Sequence, residues 1–244
     1  MDSPNPSQDL QNAFKNGEIE LQGQFMLGSN YTFLVEVRHE EQIFAGVYKP
    51  QKGTNPLWDF PAESLAWREV AAYILSEFLG WGLVPYTTLR EDGPYGPGSL
   101  QQFIEYNPNQ HYFNFRPKDI DRLRPVALFD HLVNNADRKG SHVLLEKRTR
   151  HLYAIDHGLC YHAEDKLRTV IWDFAGQDIA PAHLDDIQRM CAALETRSNL
   201  FTDLEPYLAP EELTALAERG QVLLTEGQFP EPPQYRRAFP YPPL

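Results

Sequence analysis

"NNADRKGSHVLLEKRTRHLYAIDHGLCY", residues 134–161, is the stretch on which the reading of the fold turns. It carries two aspartates, Asp137 and Asp156, each in a short polar cluster, with alternating apolar residues between them. "VLLE" and "HLYAI" have the two-residue period of strands, and "KRTR" reads as the turn that joins them. A hairpin brings its outer ends together. The spacing therefore predicts that "DRKGSH" and "DHG" lie side by side. Two carboxylates in one cleft repel unless a cation or a proton intervenes. Mg²⁺ with nucleotide phosphates is one arrangement that resolves the repulsion. Mg²⁺ takes few hard oxygen ligands from a protein and lets phosphate complete its shell.

Working outward, "EIELQGQFML", "YTFLVEVRHE" and "QIFAGVYKP" alternate apolar and polar side chains and read as antiparallel strands, with Gly28-Ser29-Asn30 turning between the first two. "WDFPAESLAWREVAAYILSEFLG" reads as a helix. Leu65, Val70, Tyr73, Ile74 and Phe78 fit one face, and Gly80 ends it. "LVPYTTLRE" and "GSLQQFIEY" are two further strands around the turn "DGPYGPG". After Tyr106 the pattern becomes helical: "DIDRLRPVALFDHLVNN" with a break at Pro125, then "PAHLDDIQRMCAALETR" and "APEELTALAERGQVLL", each with proline near its start. The expected organisation is a flexible polar arm over residues 1–16, a sheet lobe over 17–105, a helical lobe over 106–225, and a proline-rich tail over 226–244 that is extended on the surface or disordered. The fold class is α+β: an antiparallel sheet with one helix, followed by a helical lobe that contains the hairpin.

The bulk numbers set limits. A chain of 244 residues with 42% hydrophobic and 23% charged residues has the composition of a soluble globular protein. Its net charge of −12 argues against a nucleic-acid partner and against electrostatic docking on an anionic membrane. Two cysteines, Cys160 and Cys191, suit free thiols in a reducing compartment. The first residues lack a basic start followed by an apolar run, and no apolar run is long enough to span a bilayer. A cytoplasmic protein is expected.

Phosphoryl transfer requires a fixed cation on the phosphates, a backbone cradle and a slot for the base. The sheet lobe offers candidates for each. Lys49 ends the third strand. Glu69, on the following helix, is placed to hold it by an ion pair, with Glu63 and Glu77 as competitors. The amides of Gly28, Ser29 and Asn30 are candidates to cover phosphates. Phe103 and Ile104, in "QQFIEY" at the junction of the lobes, are candidates to meet an adenine. Asp130 and Asn135 read as structural hydrogen-bonding residues. His157, Cys160 and His162 with His142 form an alternative zinc set, although their spacing is unlike the usual paired motifs. No G-x-S-x-G elbow is present, and "GPYGPG" is a turn with no helix after it to hold phosphate.

The order strand–turn–strand–Lys–helix Glu–hinge–Asp–Asp-x-Gly resembles the protein-kinase-like fold. Within it, the chain resembles the phosphatidylinositol 3-/4-kinase branch, in particular the type II phosphatidylinositol 4-kinases. There a D-R-x-x-x-N catalytic loop is followed by I-D-x-G. The corresponding text here is "LFDHLVNNADRKGSH" and "AIDHGLCY", and "REVAAYILSEFLGWGLVP" resembles that family's helix and following strand. The resemblance covers roughly residues 17–225 and is similar to that of a bacterial family with a phosphatidylinositol 3-/4-kinase-like domain. It implies that Asp137 orients the acceptor hydroxyl, that Asp156 binds metal, and that Lys49 contacts phosphate with Glu69 as its partner. His142 stands where the family has a metal-binding Asn. An imidazole is softer than an amide oxygen, so Mn²⁺ is a candidate beside Mg²⁺.

The resulting expectation is an ATP-dependent phosphotransferase acting on a hydroxyl of a protein or small molecule in preference to a lipid. Two alternatives stay open: a nucleotide-binding pseudokinase that regulates a partner protein, and transfer of AMP in place of phosphate. Arg168 and Trp172, in the segment after Asp156, are candidates to contact the acceptor, with buried packing also open to Trp172.

Overall fold

The computed structural model describes residues 6–25, 31–52 and 59–244. Its first part is an antiparallel sheet of five strands in the order β1-β2-β3-β5-β4: β1 (Glu18–Gln24), β2 (Phe33–His39), β3 (Gln42–Pro50), β4 (Thr87–Gly93) and β5 (Gly96–Gln102). Helix α2 (Ser64–Leu79) lies between β3 and β4 in sequence and ends at Gly80, whose φ of 74° is the left-handed cap that glycine adopts without a Cβ penalty. The second part holds α3 (Pro117–Ile120), α4 (Arg124–Val133), the hairpin β6 (Val143–Leu145) and β7 (Leu152–Ala154), and then α5 (Pro181–Glu195), α6 (Asn199–Leu204) and α7 (Pro210–Glu226). The mixed α and β class with an N-terminal antiparallel sheet and a helical C-terminal part is as the sequence indicates. Among the described residues no helix is long and apolar enough to cross a membrane.

Strand alternation on β3 decides what the sheet presents to each side. Tyr48 is buried with Phe33, Val35, Val37 and Leu100, whereas Val47 and Lys49 line a cleft on the other face. Helix α2 carries more than the single apolar face its sequence suggests. Ala71, Ala72, Leu75 and Leu79 join the large core of the helical part, and Arg68 and Glu69 are themselves buried. Arg68 donates to the Cys160 carbonyl and to the Glu212 carboxylate on α7, and its guanidinium stacks 5.1 Å from the centre of the Phe60 ring. The helix is thus tied to the second part by a buried ion pair as well as by apolar packing.

The expected flexible arm over residues 1–16 is corrected in its described part, residues 1–5 lying outside the described residues. Residues Gln8–Asn16 form helix α1, capped by the Ser7 hydroxyl, which accepts from the Leu10 amide at 3.2 Å. Leu10, Ala13 and Phe14 recur at helical spacing and are buried against the sheet. Buried Arg90 on β4 donates to the carbonyls of Phe14 at 3.1 Å and Gly17 at 2.9 Å, satisfying backbone acceptors that the end of the helix leaves open. The two prolines and the polar residues around them hid a three-residue apolar stripe. At the other end, residues 227–244 run extended over the helical part. Phe229 is buried with its ring 5.5 Å from that of Phe174.

Because Phe14 is fully buried against Tyr86, with ring centres 5.8 Å apart, Phe14→Ala is expected to cost roughly 3–5 kcal/mol in urea unfolding. A loss below about 1 kcal/mol would mean that the helix is not part of the core.

Candidate active site

The loop that carries Asp137 is built from the end of α4. Asn134 closes the helix with a φ of 53°, a conformation Asn tolerates. Its side chain donates to the carbonyls of His162 at 2.8 Å and Glu164 at 2.7 Å and accepts from the Lys166 amide at 2.9 Å. Asn135 then turns inward. Its amide donates to Asp130 at 3.1 Å, and its oxygen accepts from the Asp137 backbone N–H at 2.9 Å. The next residue, Arg138, is fully buried. Its Nε lies 3.0 Å from both oxygens of Asp130, and its remaining nitrogens reach the carbonyls of Ile155 at 2.6 Å and His142 at 3.3 Å and the Nε2 of His157 at 2.8 Å. Thr169 adds a hydroxyl donor to Asp130 at 3.1 Å. Burial pushes the Asp130 carboxyl up, and the Arg138 guanidinium opposes it.

This cluster sets the geometry of the hairpin ends. Pairing of Val143 with Ala154 is extended by the Ile155 amide, which donates to the His142 carbonyl at 3.0 Å. His142 and Asp156 are therefore neighbours, with Nε2 and Oδ2 3.3 Å apart. Asp156 itself has a φ of 63°, which turns the chain sharply after β7. Its other oxygen accepts from Lys49 Nζ at 2.8 Å. Lys49 also donates to Glu69 Oε1, and Glu69 Oε2 accepts from the His157 backbone N–H at 3.0 Å. Among the three helix carboxylates considered, Glu69 is the one the structure sets against Lys49.

The electrostatics follow from burial and charge. Burial alone raises the Asp156 carboxyl, but the charge and hydrogen bond of Lys49, together with the neighbouring histidines, hold the group well below the ordinary carboxylate range. Burial alone lowers Lys49, and Asp156 and Glu69 reverse that, so its ammonium is held above the ordinary lysine value. His142 is pushed down to about 4 by burial, with Asp156 only partly opposing, so the imidazole is neutral and has a lone pair available. Asp137 is raised by burial and by the charge of Asp156, against the Lys139 ammonium 3.2 Å away and the Arg168 guanidinium.

Lys49, His142 and Asp156 face a cleft of about 340 Å³ between the sheet and the hairpin, whereas Asp137 lies outside its lining. Val47, Lys49, Phe103, Ile104, His142 and Asp156 all line it. Gly28, Ser29 and Asn30 lie outside the described residues. The Trp172 ring meets His131 edge to face, and its indole N–H donates to the Ala238 carbonyl at 3.3 Å. The zinc alternative fails. Among the described residues no group of three or more His, Cys, Asp or Glu is placed to hold a metal. His157 is turned onto Arg138, and Cys160 is fully buried. Sequence reasoning missed Arg138 and Thr169. The "DR" dipeptide was the available signal, but a charged residue in a polar loop reads as solvated until its burial is seen.

Removing one member of a buried ion pair strands the other. Arg138→Met is therefore expected to cost roughly 3–5 kcal/mol in chemical unfolding; a change under about 1 kcal/mol would show the hub to be dispensable. His142 gives a second test. With a folded value of about 4 and an unfolded value near 6.5, the folded state binds fewer protons in that window. The stability it contributes is full above pH about 6.5 and is lost as pH falls toward about 4. Between pH 7 and 5 the loss is on the order of 1–2 kcal/mol. His142→Asn should flatten the wild-type pH slope by that amount, and an identical slope in the variant would refute the buried neutral imidazole.

The chain is similar to known proteins in family and in fold. A family model described as phosphatidylinositol 3- and 4-kinase matches residues 62–204, from the approach to α2 through α6. The chain is 36% identical over 256 residues to the Mycobacterium tuberculosis protein Rv2133c, covering 91% of each. Among solved structures it resembles hydra Fam20 determined with sugar, with a TM-score of 0.56 and 14% identity over 89% of this chain and 86% of that one. It also resembles the Helicobacter pylori proinflammatory kinase CtkA, with a TM-score of 0.51 and 13% identity over 88% of this chain and 94% of that one. The likeness to these two is one of fold. The chain has a two-lobed kinase-like fold and belongs to the phosphatidylinositol 3- and 4-kinase family.

Proposed function

We propose that the chain is an ATP-dependent phosphotransferase that moves the γ-phosphate of ATP to a hydroxyl group. The observation that carries this reading is the Lys49 ammonium, fixed at the wall of the cleft between Glu69 of α2 and Asp156 of the hairpin. Lys49 contacts the phosphates, Glu69 keeps it there, and the adenine lies along Phe103 and Ile104. The hydroxyl oxygen of the acceptor bonds to the γ-phosphorus as the bond to the β–γ bridging oxygen breaks. The hydroxyl proton passes to Asp137 and the electron pair leaves with ADP. A carboxyl raised by burial suits that proton transfer.

Asp156 Oδ2 and His142 Nε2, 3.3 Å apart, fit a divalent cation whose shell phosphate and water complete. Such a cation supplies neutralisation of the phosphate charge. One oxygen and one imidazole nitrogen accommodate Mg²⁺ or Mn²⁺, and the nitrogen favours Mn²⁺. A net charge of −12 repels an anionic bilayer, so the acceptor is a protein or a small molecule in preference to a lipid. Flotation of the protein with inositol-lipid vesicles would reverse that preference. The second reading is a nucleotide-binding pseudokinase that regulates a partner. It is favoured by one observation: the imidazole of His142 stands where the family resemblance calls for an amide oxygen.

Thermal unfolding with ATP and Mg²⁺, Mn²⁺ or no metal tests the site. Nucleotide at a hundredfold excess over its dissociation constant stabilises by about 2.7 kcal/mol. The shift is expected to require metal, to vanish in Asp156→Ala and to survive in Asp137→Asn, which loses transfer. Absence of a shift with either metal sinks the nucleotide reading. A shift without any turnover moves the assignment to the pseudokinase.

A further inference from the structure

Resting on the kinase reading above, we propose that residues 235–244 form a strap that positions the catalytic loop and the acceptor-side segment, with Arg236 as its anchoring residue. Arg236 grips Asp165 with two nitrogens, Nε at 3.0 Å from Oδ2 and Nη2 on Oδ1, and donates a third contact to the Leu167 carbonyl. The Tyr235 hydroxyl donates to the same carboxylate at 3.2 Å. Further along, the Ala238 carbonyl accepts from the Thr169 amide at 3.1 Å and from Trp172 Nε1 at 3.3 Å. The Pro243 carbonyl then accepts from the Gly140 amide at 2.8 Å.

These anchor points are the two chains that frame Asp137. Segment 165–172 runs beside the catalytic loop. The Arg138 amide donates to the Arg168 carbonyl at 3.0 Å, the Val170 amide to the Arg138 carbonyl at 3.2 Å, and the Arg168 amide to the Asn135 carbonyl at 2.8 Å. Thr169, held by Ala238, is also the residue whose hydroxyl reaches Asp130. Gly140 lies between Asp137 and His142. Its other side is closed by Phe113, since a Cβ at Gly140 would sit 2.8 Å from that ring. The strap therefore fixes Gly140 and Thr169 together and sets the path of the loop between them.

The strap supports the site without plugging it. The Asp137 side chain keeps 28% of its surface exposed. Most of the strap is itself exposed, with Tyr235 at 84% and Tyr241 at 78%, so hydrogen bonds hold it more than burial does. Phe229, the aromatic that joins the core, precedes it. Loss of residues 235–244 therefore leaves the core intact and releases only a local unit.

The test compares wild type, Arg236→Ala and a variant lacking residues 235–244 by three readouts: amide hydrogen exchange, the ATP–metal thermal shift, and transfer rate. In both variants, exchange across 138–142 and 165–172 is expected to quicken about tenfold or more while the sheet is unchanged. The nucleotide shift is retained. The kcat falls about tenfold to a hundredfold, as for a misplaced catalytic group. A synthetic peptide of residues 235–244 added to the shortened protein restores rate, and the same peptide with R236A does not. Unchanged exchange in those two segments overturns the strap whatever the rate does. A higher rate after removal also overturns it, because the segment would then be occluding the acceptor. A wild type with no nucleotide shift refutes the kinase reading instead, and exchange alone then decides the strap.

Discussion

The buried pair of Arg138 and Asp130 is the constraint on which the rest of the site depends. A guanidinium and a carboxylate without solvent access are tolerable only when almost every donor and acceptor is used. The structure meets that condition by drawing in Asn135, Thr169, His157 and the carbonyls of His142 and Ile155. Those groups come from several stretches of chain. Satisfying one arginine therefore fixes the end of α4, the loop that bears Asp137, both ends of the hairpin and the segment after it. The precise placement of Asp137 and Asp156 follows from an interaction in which neither takes part.

A second, smaller set of charges joins the two lobes. Lys49 comes from the sheet, Glu69 from α2 and Asp156 from the hairpin. Glu69 binds in two directions, to the Lys49 ammonium and to the His157 amide. His157 is also the partner of Arg138. The inter-lobe ion pairs and the buried hub thus share a single residue, and a displacement of one is felt by the other.

Much of the fold was legible because period and punctuation are local properties. The alternation in "YTFLVEVRHE", the glycine after α2 and the prolines opening α5 and α7 each report on their own neighbourhood. Lys49 and Asp156 were legible for a related reason, since hairpin and strand geometry carry them to known ends of known elements. Helix α1 was not, because its stripe of Leu10, Ala13 and Phe14 is short and gains its helical state from the sheet beneath it and from Arg90, which is distant in sequence. Arg138 was hidden for the same physical reason. A charged side chain in a polar loop is ordinarily solvated, and only the long-range convergence of partners makes its burial affordable. The nearly complete burial of α2 was likewise unreadable from one face of its sequence, because its second partner is the helical lobe.

Arg68 has a consequence for how such a molecule works. It ties the beginning of α2 to the Cys160 carbonyl and to Glu212 on α7, one residue before Glu69 engages Lys49. The helix that carries the key carboxylate is thereby fastened to the lobe opposite its own sheet. A helix so tethered cannot swing outward to break the Lys49 pair without stranding a buried guanidinium.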